Sequence, residues 1–405
     1  MNCIVPEHML KRLLESDNEH IRKAAYRTIV STAAMRGARH TIGRAFAAFA
    51  VPAGGLRRTI FDAGHRERLP GKLIRGEGAA AVGDRDVNNA YDGLGETFKF
   101  YKEAYGRNSI DNNGLRLDAS VHYGDGYNNA FWNGRQMVFG DGDGVIFREF
   151  TMALDVIGHE LTHGVTEHDC GLVYENQPGA LNESISDVFG SMVKQYSATP
   201  QQTTASADWL IGSGLLGPTI KGEALRSMKA PGTAYDDRQL GKDPQPASMD
   251  EFVQTDDDNG GVHINSGIPN RAFYLCAAAL GGYAWSEAGR IWYTSLSRFP
   301  QEASFEQAAR ITFATAGEIF GSGSKQQGAV GDAWEGVGID AGGRAVGRAR
   351  PAAVESTAEA WDETLDHLAD QVLARVMAKM SASAPPAFAA KPAARKRTPN
   401  GVHAK

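Results

Sequence analysis

Residues 151–165 read TMALDVIGHELTHGV, and the run His159-Glu160-Leu161-Thr162-His163 inside them decides how the chain is read. Apolar residues recur at intervals of three and four, which predicts a helix. On a helix, positions i and i+4 share a face, so the two imidazoles can bind one zinc ion together. Glu160 takes a different radial direction from His159, yet it reaches the neighbouring water position where a general base is needed. A run this short can arise by chance, so the reading requires a second match.

The second match lies downstream, where Asn182-Glu183-Ser184-Ile185-Ser186-Asp187 falls in another amphipathic stretch, ALNESISDVFGSMVKQY. Glu183 is the candidate third metal ligand. Asp187, one turn on, is placed to hold the imidazole N–H of His159, and Asn182 is expected in the same supporting role. Three protein ligands plus one water is the open geometry of a catalytic rather than a structural zinc site. The alternative is an acidic pair on a solvated helix face.

Outward from this pair, the chain divides into four parts. The 405 residues exceed one typical domain, and 42% hydrophobic with 22% charged residues is the composition of a globular protein. No apolar run is long enough to cross a bilayer, so no transmembrane segment is expected. A net charge of -6, from 42 Lys+Arg and 48 Asp+Glu, gives no reason to expect nucleic acid as partner. Three distant cysteines, Cys3, Cys170 and Cys276, support neither a disulfide framework nor a cysteine zinc knuckle.

Residues 1–50 read as a detachable basic segment, with Ser16-Asp17-Asn18-Glu19 as a capping-box pattern opening a helix through Ile29. Pro52, Gly54, Gly55, Arg57 and Arg58 mark an exposed linker. Residues 51–165 are expected to form a β-rich lobe with a twisted antiparallel sheet and one helix near 86–105, ending in the helix of His159. Residues 166–340 are expected to form a mainly helical lobe, making the fold class α+β. Residues 341–405 read as a linker, an amphipathic helix through Trp361, Leu365, Leu368, Val372, Val376 and Met380, and a basic disordered tail. The N-terminus lacks the apolar core of a secretory signal peptide, so secretion by another route or a cytoplasmic location is expected.

The stretches HELTHGVTE, GLVYENQPGALNESISD and NGGVHINSGIPN together resemble the thermolysin family of zinc metallopeptidases, over about residues 85–340. Glu183 follows His163 by twenty positions, as in that family. The related zinc aminopeptidases use a shorter gap and a G-x-M-E-N motif that is missing here. The resemblance implies a two-lobed fold with the site in the cleft between the lobes. It implies one catalytic zinc held by His159, His163 and Glu183, with Glu160 polarising the attacking water. It also implies that His263 and Tyr174 donate to the tetrahedral oxyanion and that Asp258 orients His263.

For substrate, Asn129, Ala130 and Trp132 resemble the family's edge strand, to which an extended peptide adds. Arg226 is similar to the arginine that binds a substrate carbonyl, and Phe147, Val156, Ile211 and Leu225 are expected to line the apolar pocket after the scissile bond. The implied activity is a neutral endopeptidase cutting before bulky apolar residues of protein or peptide substrates.

Two departures from the better-known members matter. Their double calcium site corresponds here to Asp155, Lys194, Asp208, Leu210 and Ser213, too few carboxylates for calcium. Lys194 is expected to replace the metal by bridging Asp155 and Asp208, while calcium elsewhere has no clear sequence support. The segment CIVPEHML is similar to the short propeptide of protealysin-like members, which implies a zymogen inhibited by its own first fifty residues. Cys3 could then act as a thiolate switch on zinc, or simply be a packed thiol. A monomer is expected. The rival readings are a catalytically silent binding protein on the same scaffold and a zinc aminopeptidase.

Overall fold

The structure is a computed structural model that describes residues 2–46 and 55–342. The linker residues 47–54 and the tail helix and basic run beyond residue 342 lie outside the described residues.

Six strands form one sheet in the order β1 (Asn2–Cys3), β5 (Ala130–Trp132), β6 (Met137–Phe139), β4 (Leu117–Tyr123), β2 (Arg58–Arg66), β3 (Lys72–Gly76). The sheet is mixed, not antiparallel as the sequence suggested. β2 runs parallel to β4 and β4 parallel to β6. The sequence reading failed here because alternating burial fixes which face a side chain takes but not the direction of the neighbouring strand.

The N-terminal segment holds two helices, α1 (Glu7–Leu13) and α2 (Glu19–Phe46). α2 continues well past Ile29. Its start is capped by Asn18, whose Oδ1 accepts from the His20 N–H at 2.9 Å, while Ser16 Oγ accepts only from Asn18 N. The expected reciprocal box at Ser16 therefore gives way to a simpler Asn cap.

The expected helix near 86–105 is α3 (Arg85–Tyr105). Asp84 caps it by accepting from the N–H groups of Asp86 and Val87, and Gly106 ends it in the left-handed conformation. Then come α4 (Leu154–Asp169) and α5 (Asn176–Ser197). The short strands β7 (Leu210–Ile211) and β8 (Arg226–Ser227) pair with each other. β9 (Asp236–Asp237) and β10 (Gly241–Lys242) do likewise. The remaining helices are α6 (Asp258–Asn265), α7 (Gly267–Leu280), α8 (Ala288–Leu296), α9 (Phe305–Phe320) and α10 (Lys325–Glu335).

The protein thus has a β-containing N-terminal lobe and a helical C-terminal lobe, an α+β fold of two lobes. One continuous apolar core runs from Ile4 through Ile157 and Phe189 to Trp334. α4 and α5 are packed unusually closely. A Cβ on Gly190 would lie 2.4 Å from the Asp155 carbonyl oxygen and 3.0 Å from the His159 nitrogen, so only glycine permits this approach. That contact brings the two motif-bearing helices together.

Candidate metal centre and substrate groove

Because α4 presents His159 and His163 on one face and α5 crosses it at Gly190, Glu183 is carried to the same point. The Nε2 atoms of His159 and His163 lie 3.0 Å apart, and each is 3.4 Å from one oxygen of the Glu183 carboxylate. All three side chains are buried. A tetrahedral zinc with bonds of about 2.0–2.2 Å separates its ligand atoms by roughly 3.3 Å, so the three donors fit such an ion.

The outer nitrogens fix which lone pairs face inward. His159 Nδ1 donates to Asp187 Oδ1 at 2.8 Å, and His163 Nδ1 meets Asn182 Oδ1 at 2.8 Å and Ser186 Oγ at 2.9 Å. Each Nε2 is thereby left as an acceptor aimed at the other. A cation between them would satisfy both nitrogens and the carboxylate, and in the metal-free chain a proton on His159 takes that place. Burial alone would lower the His159 pKa, but Asp187 and Glu183 outweigh it and raise it to about 9. Glu183 is buried yet stays well below the usual carboxylate range because His263, His163 and His159 surround it.

Glu160 sits beside this centre with one oxygen accepting from the Trp132 N–H at 3.0 Å. Its Oε1 is buried with no hydrogen-bond partner among the described residues. Burial, with the Glu183 charge adding to it, pushes its carboxyl up to about 8. A carboxyl tuned near neutrality with one oxygen unengaged can take and return a proton.

His263 comes from α6, which opens with four successive residues, Asp258 to Gly261, at positive φ. Glycine is required at 260, where a Cβ would lie 2.2 Å from Asn176 Oδ1. This turn folds Asp258 back on its own helix, so that its carboxylate accepts from His263 N at 2.9 Å and from His263 Nδ1 at 2.7 Å. His263 Nε2 faces the Cys3 carbonyl oxygen at 2.8 Å. Both ring nitrogens face acceptors, so both carry protons. Burial disfavours that charge, but Asp258 and Glu183 raise the pKa to about 9. The Tyr174 hydroxyl donates to Glu183 Oε1 and lies 3.3 Å from His263 Nε2.

Ala130 and Trp132 lie on β5, with Asn129 just before it, and within residues 55–342 this strand would be the sheet edge. Here the edge is taken by β1, with Asn2 opposite Trp132 and Cys3 opposite Phe131, antiparallel. Ile4 N donates to the Ala130 carbonyl at 3.2 Å. Val5 N donates to Asn129 Oδ1 at 2.9 Å, and Asn129 Nδ2 returns a bond to the Val5 carbonyl at 3.3 Å. Arg226 Nη1 donates to the Ile4 carbonyl at 2.9 Å, while its Nε and Nη2 grip both oxygens of Asp187 at 2.8 Å. Phe147, Val156, Ile211 and Leu225 are all buried in the apolar cluster that also contains Ile4.

The Cys3 side chain packs with Ala63, Tyr123, Tyr127, Phe131 and Val138. Its sulfur is outside the group of His159, His163 and Glu183 atoms that lie within 4.8 Å of one another. Away from this site, Lys194 Nζ is 2.9 Å from Asp155 Oδ2, 2.9 Å from Asp208 Oδ1 and 2.6 Å from the Leu210 carbonyl.

Three supporting residues escaped the sequence reading. Ser186 adds to Asn182 on His163, Asn270 Nδ2 donates to Asp187 Oδ2 at 2.8 Å, and Gln245 Nε2 donates to the His263 carbonyl at 2.8 Å. Ser186 and Asn270 stood inside quoted motif stretches. Gln245 carried no local signal.

Comparison with known proteins agrees with this geometry. Residues 58–167 match the thermolysin metallopeptidase catalytic domain and residues 170–339 its alpha-helical domain. The chain is 52% identical over 339 residues to an extracellular metalloprotease of Pectobacterium carotovorum subsp. carotovorum, covering 83% of this chain and 96% of that one. It is 38% identical over 295 residues to thermolysin of Alicyclobacillus acidocaldarius subsp. acidocaldarius, covering 69% and 50%. Among solved structures, the precursor of protealysin from Serratia proteamaculans matches with a TM-score of 0.76 and 52% identity, over 84% of this chain and all of that one. The chain therefore belongs to the thermolysin family of metallopeptidases, on its protealysin-like side, and is a metalloendopeptidase.

Proposed function

We propose that this chain is a zinc-dependent neutral endopeptidase made as a zymogen, that residues 1–50 are its inhibitory propeptide, and that it cuts peptides before bulky apolar residues. The observation that carries this reading is the path of residues 2–5. An extended segment of the chain pairs antiparallel with β5, directs one carbonyl at His263 and the next at Arg226, and puts Ile4 in the apolar cluster with Phe147, Val156, Ile211 and Leu225. A peptide substrate following the same path would present a bulky apolar side chain just after the carbonyl that faces His263.

His159, His163 and Glu183 would hold zinc, which when bound supplies a Lewis acid at the reacting carbonyl. Ala130, Asn129 and Arg226 fix the peptide in register. Glu160 takes a proton from water through its unengaged Oε1 and passes it to the leaving amine. His263, kept protonated by Asp258, donates to the carbonyl oxygen as negative charge develops there, assisted by Tyr174. The groove cannot admit a second peptide while β1 lies in it, which supports latency of the intact chain.

The same reading gives Lys194 the place of calcium. Its ammonium, bridging Asp155 and Asp208, supplies the positive charge that a metal would otherwise bring. Cys3 is read as a packed thiol, with its backbone carbonyl rather than its sulfur meeting the site. The curated relative from Pectobacterium is named as extracellular, which supports action outside the cell.

Incubating the purified full-length chain with an end-blocked peptide containing one Gly-Leu bond tests the proposal. Internal cleavage at that bond is expected only after the N-terminal segment has been removed. Cleavage by the intact precursor at the same rate would contradict the latency, and release of single N-terminal residues would favour the aminopeptidase.

A further inference from the structure

A second group of metal-type donors lies outside the site just described. His65 near the end of β2, His122 in β4 and Asp141 just past β6 present ligand atoms that all lie within 4.8 Å of one another. The pairing of β2 with β4 slips between Asp62 and Arg66, and an irregularity of this kind re-aims the side chains within it. His65 comes to rest against His122, with ring centroids 5.5 Å apart. The two oxygens of Asp141 divide between them, one 2.9 Å from His122 Nδ1 and the other 3.3 Å from His65 Nδ1.

The other nitrogen of His122 is held separately. Its Nε2 donates to Asp84 Oδ2 at 2.9 Å, and Asp84 is itself fixed as the cap of α3. A carboxylate on the far nitrogen is the support that ligating histidines carry in metal centres, since it sets the tautomer and makes the near nitrogen more basic.

We propose that His65, His122 and Asp141 form a second metal site, suited to a borderline divalent ion such as zinc, with Asp84 as its supporting carboxylate. Two imidazoles and one carboxylate are a zinc-type donor set, whereas calcium takes oxygen almost alone. Ligand atoms around a tetrahedral zinc stand roughly 3.3 Å apart; here the two nitrogens stand 2.9 and 3.3 Å from separate oxygens of Asp141 and the ligand atoms all fall within 4.8 Å of one another, so the group would draw in around the ion. The side chain of His65 is 62% exposed, which gives an ion a route in from solvent and leaves room for a water ligand.

A competing grouping, Asp84 and Asp86 with His122, offers only one imidazole. Its carboxylates are already engaged, one in capping α3 and the other with the Thr151 hydroxyl. An imidazole binds a metal only through a deprotonated nitrogen, so affinity at this site rises with pH. The ion would fasten β2, β4 and the loop after β6 to one another.

The test counts metal in the full-length Glu160→Gln chain, which is spared self-digestion, equilibrated at mildly alkaline pH with micromolar free zinc. His65→Ala in that background should bind one ion fewer per chain and lose a zinc-dependent rise in Tm. Asp84→Asn should weaken the same ion by about 10- to 100-fold. Because the readout is a difference, it does not depend on whether the first site fills. Equal zinc content in the parent and in His65→Ala, with both folded by circular dichroism, would overturn the proposal.

Discussion

Asp187 serves two sides of the site at once. Its fully buried carboxylate accepts from His159, doubly from Arg226, and from Asn270. Asp187→Ala therefore should loosen a metal ligand and strand a buried guanidinium in one step. We expect zinc affinity to fall by about 10- to 100-fold and stability by about 3–5 kcal/mol, measured by chelator competition and by denaturant unfolding. Asn270→Ala removes one donor only, and should cost about 1.5–3 kcal/mol. Glu160→Gln keeps the size of the side chain but cannot take a proton. It should lower kcat by about 10²- to 10⁴-fold with zinc content unchanged, and a loss of metal in that variant would instead make Glu160 a structural residue. At this scale the sequence was informative wherever the chemistry was local. His159, Glu160 and His163 lie within one helical turn or so, and Glu183 with Asp187 within another. Asn270 and Gln245 are buried amides that only a folded chain brings to Asp187 and His263, and such partners leave no periodic trace.

Among the elements, the closeness of α4 and α5 converts two motifs into one site, and Gly190 is its sequence mark. The same helices carry Asp155 and Lys194, and Asp208 joins them from just before β7. Burial disfavours the Lys194 charge, yet Asp155 and Asp208 outweigh this and raise its pKa. Lys194→Ala would leave the buried Asp155 without its cation. A loss of about 3 kcal/mol is expected, read as a lowered Tm that added calcium does not restore. Recovery with calcium would mean that the site still binds that ion. The long helices α3, α4 and α5 were legible because each is amphipathic and bounded by Gly, Pro or a capping residue. The parallel pairing of β2, β4 and β6 was not, since strand direction depends on the connections rather than on the pattern within a strand. β1 was equally hidden: two residues carry no periodicity, and their pairing with β5 spans more than a hundred positions.

At the scale of the molecule, the N-terminal segment docks through a few polar anchors as well as its apolar face. Lys11 reaches Asp257, Thr28 and Thr32 reach Asn128 and Tyr127, and His8 Nε2 meets the Tyr235 hydroxyl at 3.0 Å. The His8 ring is largely covered and its Nδ1 is buried without a partner among the described residues. Burial lowers its pKa from 6.5 to about 4, with His263 and Arg226 pushing the same way and Asp258 opposing. The docked state therefore excludes a proton that the released segment accepts. Docking is unaffected above the free value, then weakens progressively as pH falls through the interval between 6.5 and about 4. We expect the segment to be held on the order of a hundred times less tightly near the lower limit, and His8→Gln to flatten that part of the profile, as measured by limited proteolysis of the linker. The two-lobed plan was readable from the change from short β-type stretches to long helical ones near Phe150. The sequence alone did not reveal that the N-terminal segment lies along β5 with its carbonyls on His263 and Arg226.

The measurement that bears most directly on this account is the zinc content of the freshly purified full-length chain after dialysis against metal-free buffer. At least one retained ion per chain is expected, and one ion fewer when His159 and Glu183 are both replaced by Ala in a protein that still folds. No retained zinc in the parent, or equal zinc content in the parent and the double replacement, would contradict convergence of these two helices on a catalytic metal.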